Sequence, residues 1–226
     1  MTYKLYIGDR TFSSWSLRGW LMLEKFGLDF NTHLIGLYGG TMAADMAHLA
    51  PAKLVPTLQT ADGTVIGESL AIAETLAENH PDKSMWPTDA AARATARWLC
   101  AEMASSFGQL RGQCAMQLQH VNKGFVVDEG LQSGLDRLET LWAHAAKFKS
   151  GGPWLFGAYS LADCMFAPAA ARIVGYDLPV SDAARAYCDT TINDPTFKKW
   201  RAEGLKTTYD PFPYDMGVPT TPWPVS

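Results

Sequence analysis

The sequence predicts an α/β N-terminal domain, residues 1–80, joined to an all-helical C-terminal domain, residues 88–226. Three observations predict it. Strand-like stretches occur only in the first third of the chain. Three- and four-residue apolar spacing takes over after Ala90. Between the two, His80-Pro81 and Trp86-Pro87 interrupt both patterns and mark a linker.

Tyr3 to Ile7 alternates polar and apolar side chains and reads as a first strand. A loop from Gly8 to Ser14 follows. Leu17, Trp20, Leu21 and Leu23 then place a helix over Leu17 to Phe26. Phe30 to Ile35 is a second strand, and Met42 to His48 a short helix within an irregular stretch. Val55-Pro56-Thr57-Leu58, the Asp62-Gly63 turn and Val65-Ile66 make a hairpin. Glu68 opens a helix that runs to Glu78. The order β-α-β-α-β-β-α within roughly 80 residues is thioredoxin-like and of ordinary domain size.

Beyond the linker no strand is expected. Ala90 to Gln119 reads as one long helix, kinked near Gly108 or Gly112. Leu131, Leu135, Leu138, Trp142 and Ala145 mark a second, from Asp128 to Phe148, which Gly151-Gly152-Pro153 ends. Ser160-Leu161-Ala162-Asp163 has the spacing of a capping box, with Asp in place of the usual Glu or Gln, so Asp163 is read as structural. It precedes an apolar helix through Cys164, Phe166, Ala170 and Ile173. Ala183 to Thr191 and Pro195 to Glu203 are the last helices. The proline-rich tail after Tyr209 is expected to be extended, lying over the site or against the helices.

Composition narrows the function classes. With 226 residues, 47% of them hydrophobic, the chain can bury a full core in two modest domains. A net charge of −4 without a basic block argues against nucleic acid as the main partner. Thr2, Lys4, Asp9 and Arg10 interrupt any apolar leader, and no window approaches a membrane span, so a cytoplasmic protein is expected. Cys100, Cys114, Cys164 and Cys188 are far apart, without metal-ligand or CxxC spacing, and are expected to stay reduced. The five histidines form neither a metal nor a triad pattern, and no metal is expected.

The informative stretch is Lys53 to Ser69. Proline cannot donate to a sheet ladder, which puts Pro56 at an edge or at a strand's first residue. If the Val55-Pro56 bond is cis, the main chain of Val55 faces away from the sheet, free to pair with an extended peptide. Glu68 and Ser69, at a helix start, offer backbone N–H groups and a hydroxyl to an anion. A site that pairs with a peptide and holds a carboxylate suits a small peptide such as glutathione.

The VPTL, DG and ESLAI arrangement resembles the glutathione-binding half of the cytosolic glutathione S-transferases. Trp154-Leu155-Phe156-Gly157 through Ser160-x-x-Asp163 resembles that family's C-terminal folding motif, so the resemblance spans nearly the whole chain apart from the tail. It implies glutathione as co-substrate and a homodimer. It also implies that Lys53 reaches the glycine carboxylate of glutathione, and that Glu68 and Ser69 hold the γ-glutamyl end.

The loop before the first helix reads Thr11-Phe12-Ser13-Ser14-Trp15-Ser16-Leu17-Arg18. A free thiol has a pKa of about 8.5. Lowering it by about two units takes roughly 2.7 kcal/mol of preferential anion stabilisation. A serine hydroxyl beside the positive end of a helix supplies this, orienting the thiolate without itself attacking. In serine-type relatives such as the zeta and tau classes the active serine lies five residues before an arginine of the first helix. Counting back from Arg18 gives Ser13, with Ser14 the runner-up and Ser16 available as a helix cap. The run is similar to the zeta-class SSCSWR signature but has Trp15 where that signature has cysteine. The departure weighs against maleylacetoacetate isomerase activity, and a loop without cysteine weighs against thiol-reductase chemistry.

The second substrate is expected between the domains, against the first long helix. Met103, Phe107 and Arg111 fall at helical spacing there, and the arginine is suited to an anion. Trp200 and Trp223 are read as packing residues. The sequence thus points to a glutathione S-transferase that activates the thiol through serine for attack on a mainly apolar electrophile. The alternatives are a glutathione-dependent isomerase or peroxidase, and a binding protein of the same fold without turnover.

Overall fold

The computed structural model describes residues 2–207 and 214–224. Tyr3–Ile7 (β1) pairs in parallel with Phe30–Leu34 (β2), from Tyr3 opposite Phe30 to Ile7 opposite Leu34. On its other side β1 pairs antiparallel with Thr57–Gln59 (β3), which pairs with Val65–Ile66 (β4), so the sheet order is β2-β1-β3-β4. Alternation along β1 covers both faces. Tyr3, Leu5 and Ile7 enter the main core, while Tyr6 joins a smaller cluster with Ile35, Met46 and Leu49. This is the thioredoxin-like unit expected from the sequence.

Ser14–Glu24 (α1) and Ser69–Asn79 (α3) pack together, and α3 also meets β3. The short Met42–Met46 (α2) continues as a single tighter turn to Leu49. The first helix starts three residues earlier than its apolar spacing suggested, because Ser13, not Ser16, is its N-cap. The Ala50-Pro51 and Val55-Pro56 bonds are both cis.

The helical half departs from expectation in one important place. The predicted 90–119 helix is two helices, Ala90–Ser105 (α4) and Gly108–Gln113 (α5). Ser105 Oγ bonds back to Ala101 O, Ser106 is extended, and Phe107 takes a positive φ of 62°. Serine side chains compete with the helical ladder, and leaving it lets Phe107 bury its ring in the core. Beyond α5, Gln117 organises an irregular turn by accepting from the N–H groups of Gln119 and His120 and donating to His120 O.

A second departure follows. His120–Asn122 (β5) pairs antiparallel with Thr220–Pro222 (β6), a small sheet where no strand was expected. Trp223 beside it is buried, with Arg201 over its ring. The described part of the tail therefore returns to the helical half. The expectation for residues 208–213 lies outside the described residues.

Glu129–Ala146 (α6), Leu161–Gly175 (α7), Asp182–Asn193 (α8) and Pro195–Gly204 (α9) complete the bundle. Every residue of α7 is buried, and it packs on α1, α4 and α8, joining the two halves. Its start is the expected capping box. Asp163 accepts from Ser160 N–H and Ser160 Oγ, and also from Leu155 N–H and Tyr187 Oη.

Candidate functional site

The serine loop is held from both sides. Trp200 of α9 donates its indole N–H to Arg10 O at 2.8 Å, and Thr11 Oγ1 donates to Gly204 O at 2.7 Å. Trp200 is thus a clamp as well as a packing residue. From the tail, Tyr214 lies 4.5 Å from the Phe12 ring, centroid to centroid, and shares a 2.5 Å hydroxyl contact with Tyr38.

The serines of the loop have separate tasks. Ser13 Oγ donates to Ser16 Oγ at 2.7 Å and accepts from Ser16 N–H at 3.3 Å. Ser16 Oγ in turn accepts from Gly8 N–H at 2.8 Å, tying the loop to the end of β1. Ser14, the first residue of α1, accepts from Arg172 Nη2 at 3.3 Å. Among the described residues, the Ser14 hydroxyl proton has no acceptor.

Around Ser14 stand three guanidinium groups from three helices. Arg18 is completely buried, donates through Nε to Met165 O at 2.8 Å, and lies 4.3 Å from the Trp15 ring centroid. Arg111 of α5 approaches the same ring at 5.3 Å and donates to Ala104 O. Arg172 of α7 donates to Cys114 O at 2.7 Å and to Pro168 O at 3.3 Å. Burial lowers the pKa of Arg18 well below its usual value, and the charges of Arg172 and Arg111 lower it further. Burial likewise brings Arg172 down to about 10, so it stays charged at neutral pH. Among the described residues, no carboxylate forms an ion pair with any of the three.

The second half of the site is a cavity of ≈ 340 Å³ lined by Pro51, Ala52, Lys53, Leu54, Val65, Gly67 and Glu68. The main chain of Val55 has no main-chain partner among the described residues. Pro56 packs on α1, where a Cβ added to Gly19 would lie 2.7 Å from the Pro56 Cβ. Glu68 holds a φ of 61°, a backbone region that side chains other than glycine rarely adopt. Ser69 is buried as the first residue of α3.

The cysteines take no part. All four are free and buried, and burial raises their thiol pKa values, Cys114 to about 12 and the others also upward.

Residues 12–79 match the family model for the glutathione S-transferase N-terminal domain. Residues 89–202 match that for the glutathione S-transferase C-terminal domain. The chain belongs to the glutathione S-transferase family. A "Probable maleylacetoacetate isomerase" of Caenorhabditis elegans is 33% identical, over 65% of this chain and 70% of that protein. Maleylacetoacetate isomerase of Rattus norvegicus is 31% identical, over 78% of this chain and 81% of its own. A solved structure of a glutathione transferase homolog from Burkholderia, with bound glutathione, superposes with a TM-score of 0.69. It is 25% identical and covers 92% of this chain and 100% of its own.

In this transferase, Lys53 and Glu68 share one cavity, with Val55 and Ser69 next to them in sequence. The stripe of Met103, Phe107 and Arg111 is not brought together, because the break after Ser105 puts them on different elements. Met103 and Phe107 are core residues, while Arg111 alone reaches Trp15. Sequence reasoning passed over Trp15 as a meeting point of arginines, and Arg172 altogether. A signal for Arg172 existed, since it is the only basic residue in the apolar run from Cys164 to Gly175. A larger cavity of ≈ 650 Å³ between α6 and α8 contains none of the predicted site residues.

Proposed function

We propose that this transferase holds glutathione along Lys53, Val55, Pro56, Glu68 and Ser69 and stabilises its thiolate with the hydroxyl of Ser14. One observation carries the choice of serine. The Ser13 proton is directed to Ser16 Oγ, whereas the Ser14 proton has no acceptor among the described residues. Ser14 also sits in the first turn of α1, where unpaired N–H groups favour a negative charge. On binding, the thiol proton leaves to solvent. The sulfur then forms a bond to carbon of the electrophile as the bond from that carbon to its leaving group breaks. The leaving group (halide, for a halogenated acid) departs to solvent with the bonding pair. The glutathione-bound neighbour and the cavity at Lys53 and Glu68 support the glutathione half of this reading.

The electrophile in this reading carries an anionic group, in place of the mainly apolar one that the sequence suggests. Arg111 and Arg172 bring cations without carboxylate partners among the described residues to the Ser14–Trp15 side, while Met103 and Phe107 are buried in the core. The same arginines favour a second reading, glutathione-dependent isomerisation of a maleyl-type acid, in line with the names of the two curated relatives. Family membership supports a cytoplasmic homodimer with a role in detoxification.

The test is ultraviolet titration of bound glutathione against pH. A thiolate band well below the free thiol's pKa, lost in Ser14→Ala and kept in Ser13→Ala, is expected. The reverse pattern would return the role to Ser13. Assays with a halogenated carboxylic acid and with a maleyl acid then separate conjugation from isomerisation.

A further inference from the structure

Arg172 is set in an unusual position for a structural arginine. It projects from the last turn of the fully buried α7, crosses between the two halves of the molecule, and ends on Ser14 Oγ, 158 residues away in sequence. Three of its five N–H groups are placed, on Cys114 O, Pro168 O and Ser14 Oγ. Two of those acceptors are uncharged carbonyls and the third is a hydroxyl. A guanidinium taken out of water is costly unless an anion compensates it. Among the described residues, its charged and titratable surroundings supply none at neutral pH. Arg18 of α1 and Arg111 of α5 repel it, and Cys114 and Tyr176, whose pKa values burial raises, face it as neutral groups, with the Tyr214 side chain also nearby.

We infer that Arg172 is a positioning residue for the glutathione thiolate, acting through Ser14, and that the thiolate is the anion its charge awaits. The inference rests on the proposed role of Ser14. By accepting from Arg172, Ser14 Oγ has its rotor fixed so that its own proton points away from α7. A hydroxyl that accepts a charge-assisted hydrogen bond is also a stronger donor. Two hydrogen-bond lengths put the guanidinium about 5–6 Å from a sulfur on the far side of Ser14. At that range, in a site shielded from water, a cation lowers a thiol pKa by about one unit or more. The helical half of the chain therefore contributes to thiol activation as well as to electrophile binding.

The experiment compares wild type, Arg172→Lys and Arg172→Met by ultraviolet titration of bound glutathione and by the pH profile of kcat/KM. Affinity for S-methylglutathione, which has no thiol to ionise, monitors whether the site is intact. Arg172→Met is expected to raise the bound thiol pKa by about one unit. That makes kcat/KM about fivefold lower at pH 6.5 and changes it less than twofold at pH 9, with S-methylglutathione binding kept. Arg172→Lys, which retains the charge without the fork, is expected to recover part of the shift. In a Ser14→Ala background the Arg172→Met shift is expected to shrink, because its route is gone. An unchanged thiol pKa in Arg172→Met, or a loss of rate equal at every pH, overturns the inference and leaves the Ser14 reading standing. A wild type that binds S-methylglutathione but leaves the thiol of glutathione unshifted overturns both.

Discussion

Ser13 Oγ donates its hydrogen bond to Ser16 Oγ, 2.7 Å away, within the first turn of the helix that Ser13 caps. Two serines adjacent in sequence thereby acquire different chemistry. Ser13 is engaged by the loop, and the Ser14 proton has no acceptor among the described residues. Ser13→Ala is expected to lose about 1 kcal/mol of stability through the lost cap, with a modest effect on rate. Ser14→Ala is expected to lose about 1–3 kcal/mol of stability, because the buried Arg172 N–H loses its acceptor. It is also expected to lose about 10²-fold in kcat/KM, the size found when one donor to a developing anion is removed. Denaturant unfolding and steady-state kinetics on the two variants check both halves.

Gly19→Ala inverts the usual expectation for a helix. Alanine is the better helix former by about 1 kcal/mol. Here, however, the added methyl group would lie 2.7 Å from Pro56 Cβ and 3.6 Å from Leu5 Cδ1. Overpacking of this kind costs about 1–3 kcal/mol, so the variant is expected to be less stable and to bind glutathione more weakly by displacing the Val55-Pro56 edge. Thermal unfolding and calorimetric titration measure the two effects. A stabilised variant would show that α1 and the proline loop can separate at no cost.

Glu68→Gly is expected to separate stability from function. A φ of 61° at Glu68 carries strain of about 1–3 kcal/mol, which glycine relieves while adding freedom to the unfolded chain. The net result is a protein equally stable or more stable by about 1 kcal/mol. The same change removes a side chain from the ≈ 340 Å³ cavity, and glutathione affinity is expected to fall about tenfold. Reduced stability with intact affinity would give Glu68 a purely structural role.

Asp163 makes stability pH-dependent in a defined window. Burial pushes its carboxyl up to about 6, against the downward pull of donors from Leu155, Ser160 and Tyr187. In the unfolded chain the value is about 3.9. Between pH 4 and 6 the folded state therefore binds more protons than the unfolded one, and stability falls as pH rises through that interval, then levels off. The change attributable to this group is on the order of 2–3 kcal/mol. Asp163→Asn, compared with wild type by denaturant unfolding at pH 4, 5, 6 and 7, is expected to flatten that slope. A wild type that instead gains stability from pH 4 to 6, by an amount that Asp163→Asn abolishes, would show that the four donors outweigh burial.

The elements of the α/β half were legible because each rests on a local signal. Tyr3, Leu5 and Ile7 alternate, Asp62-Gly63 closes a hairpin, and Ser160 with Asp163 spells a capping box. The helical half was legible except where side chains compete with the backbone. Periodicity carried the first long helix through Phe107, but Ser105 and Ser106 divert it, and burial of the Phe107 ring compensates for the break. The β5–β6 pair was invisible in the same way, because each strand has only three residues and its partner lies about a hundred positions off.

The sequence by itself determined the order of elements in the α/β half, the thioredoxin-like unit, and, through its motifs, the resemblance to the family. The elements follow from short-range regularities of backbone geometry, the family from the resemblance of short motifs in order. Only the tertiary structure decided which serine keeps its proton and which arginine stands beside it. A hydroxyl's role depends on the neighbour it meets, and Arg172 reaches Ser14 because α7 packs across α1.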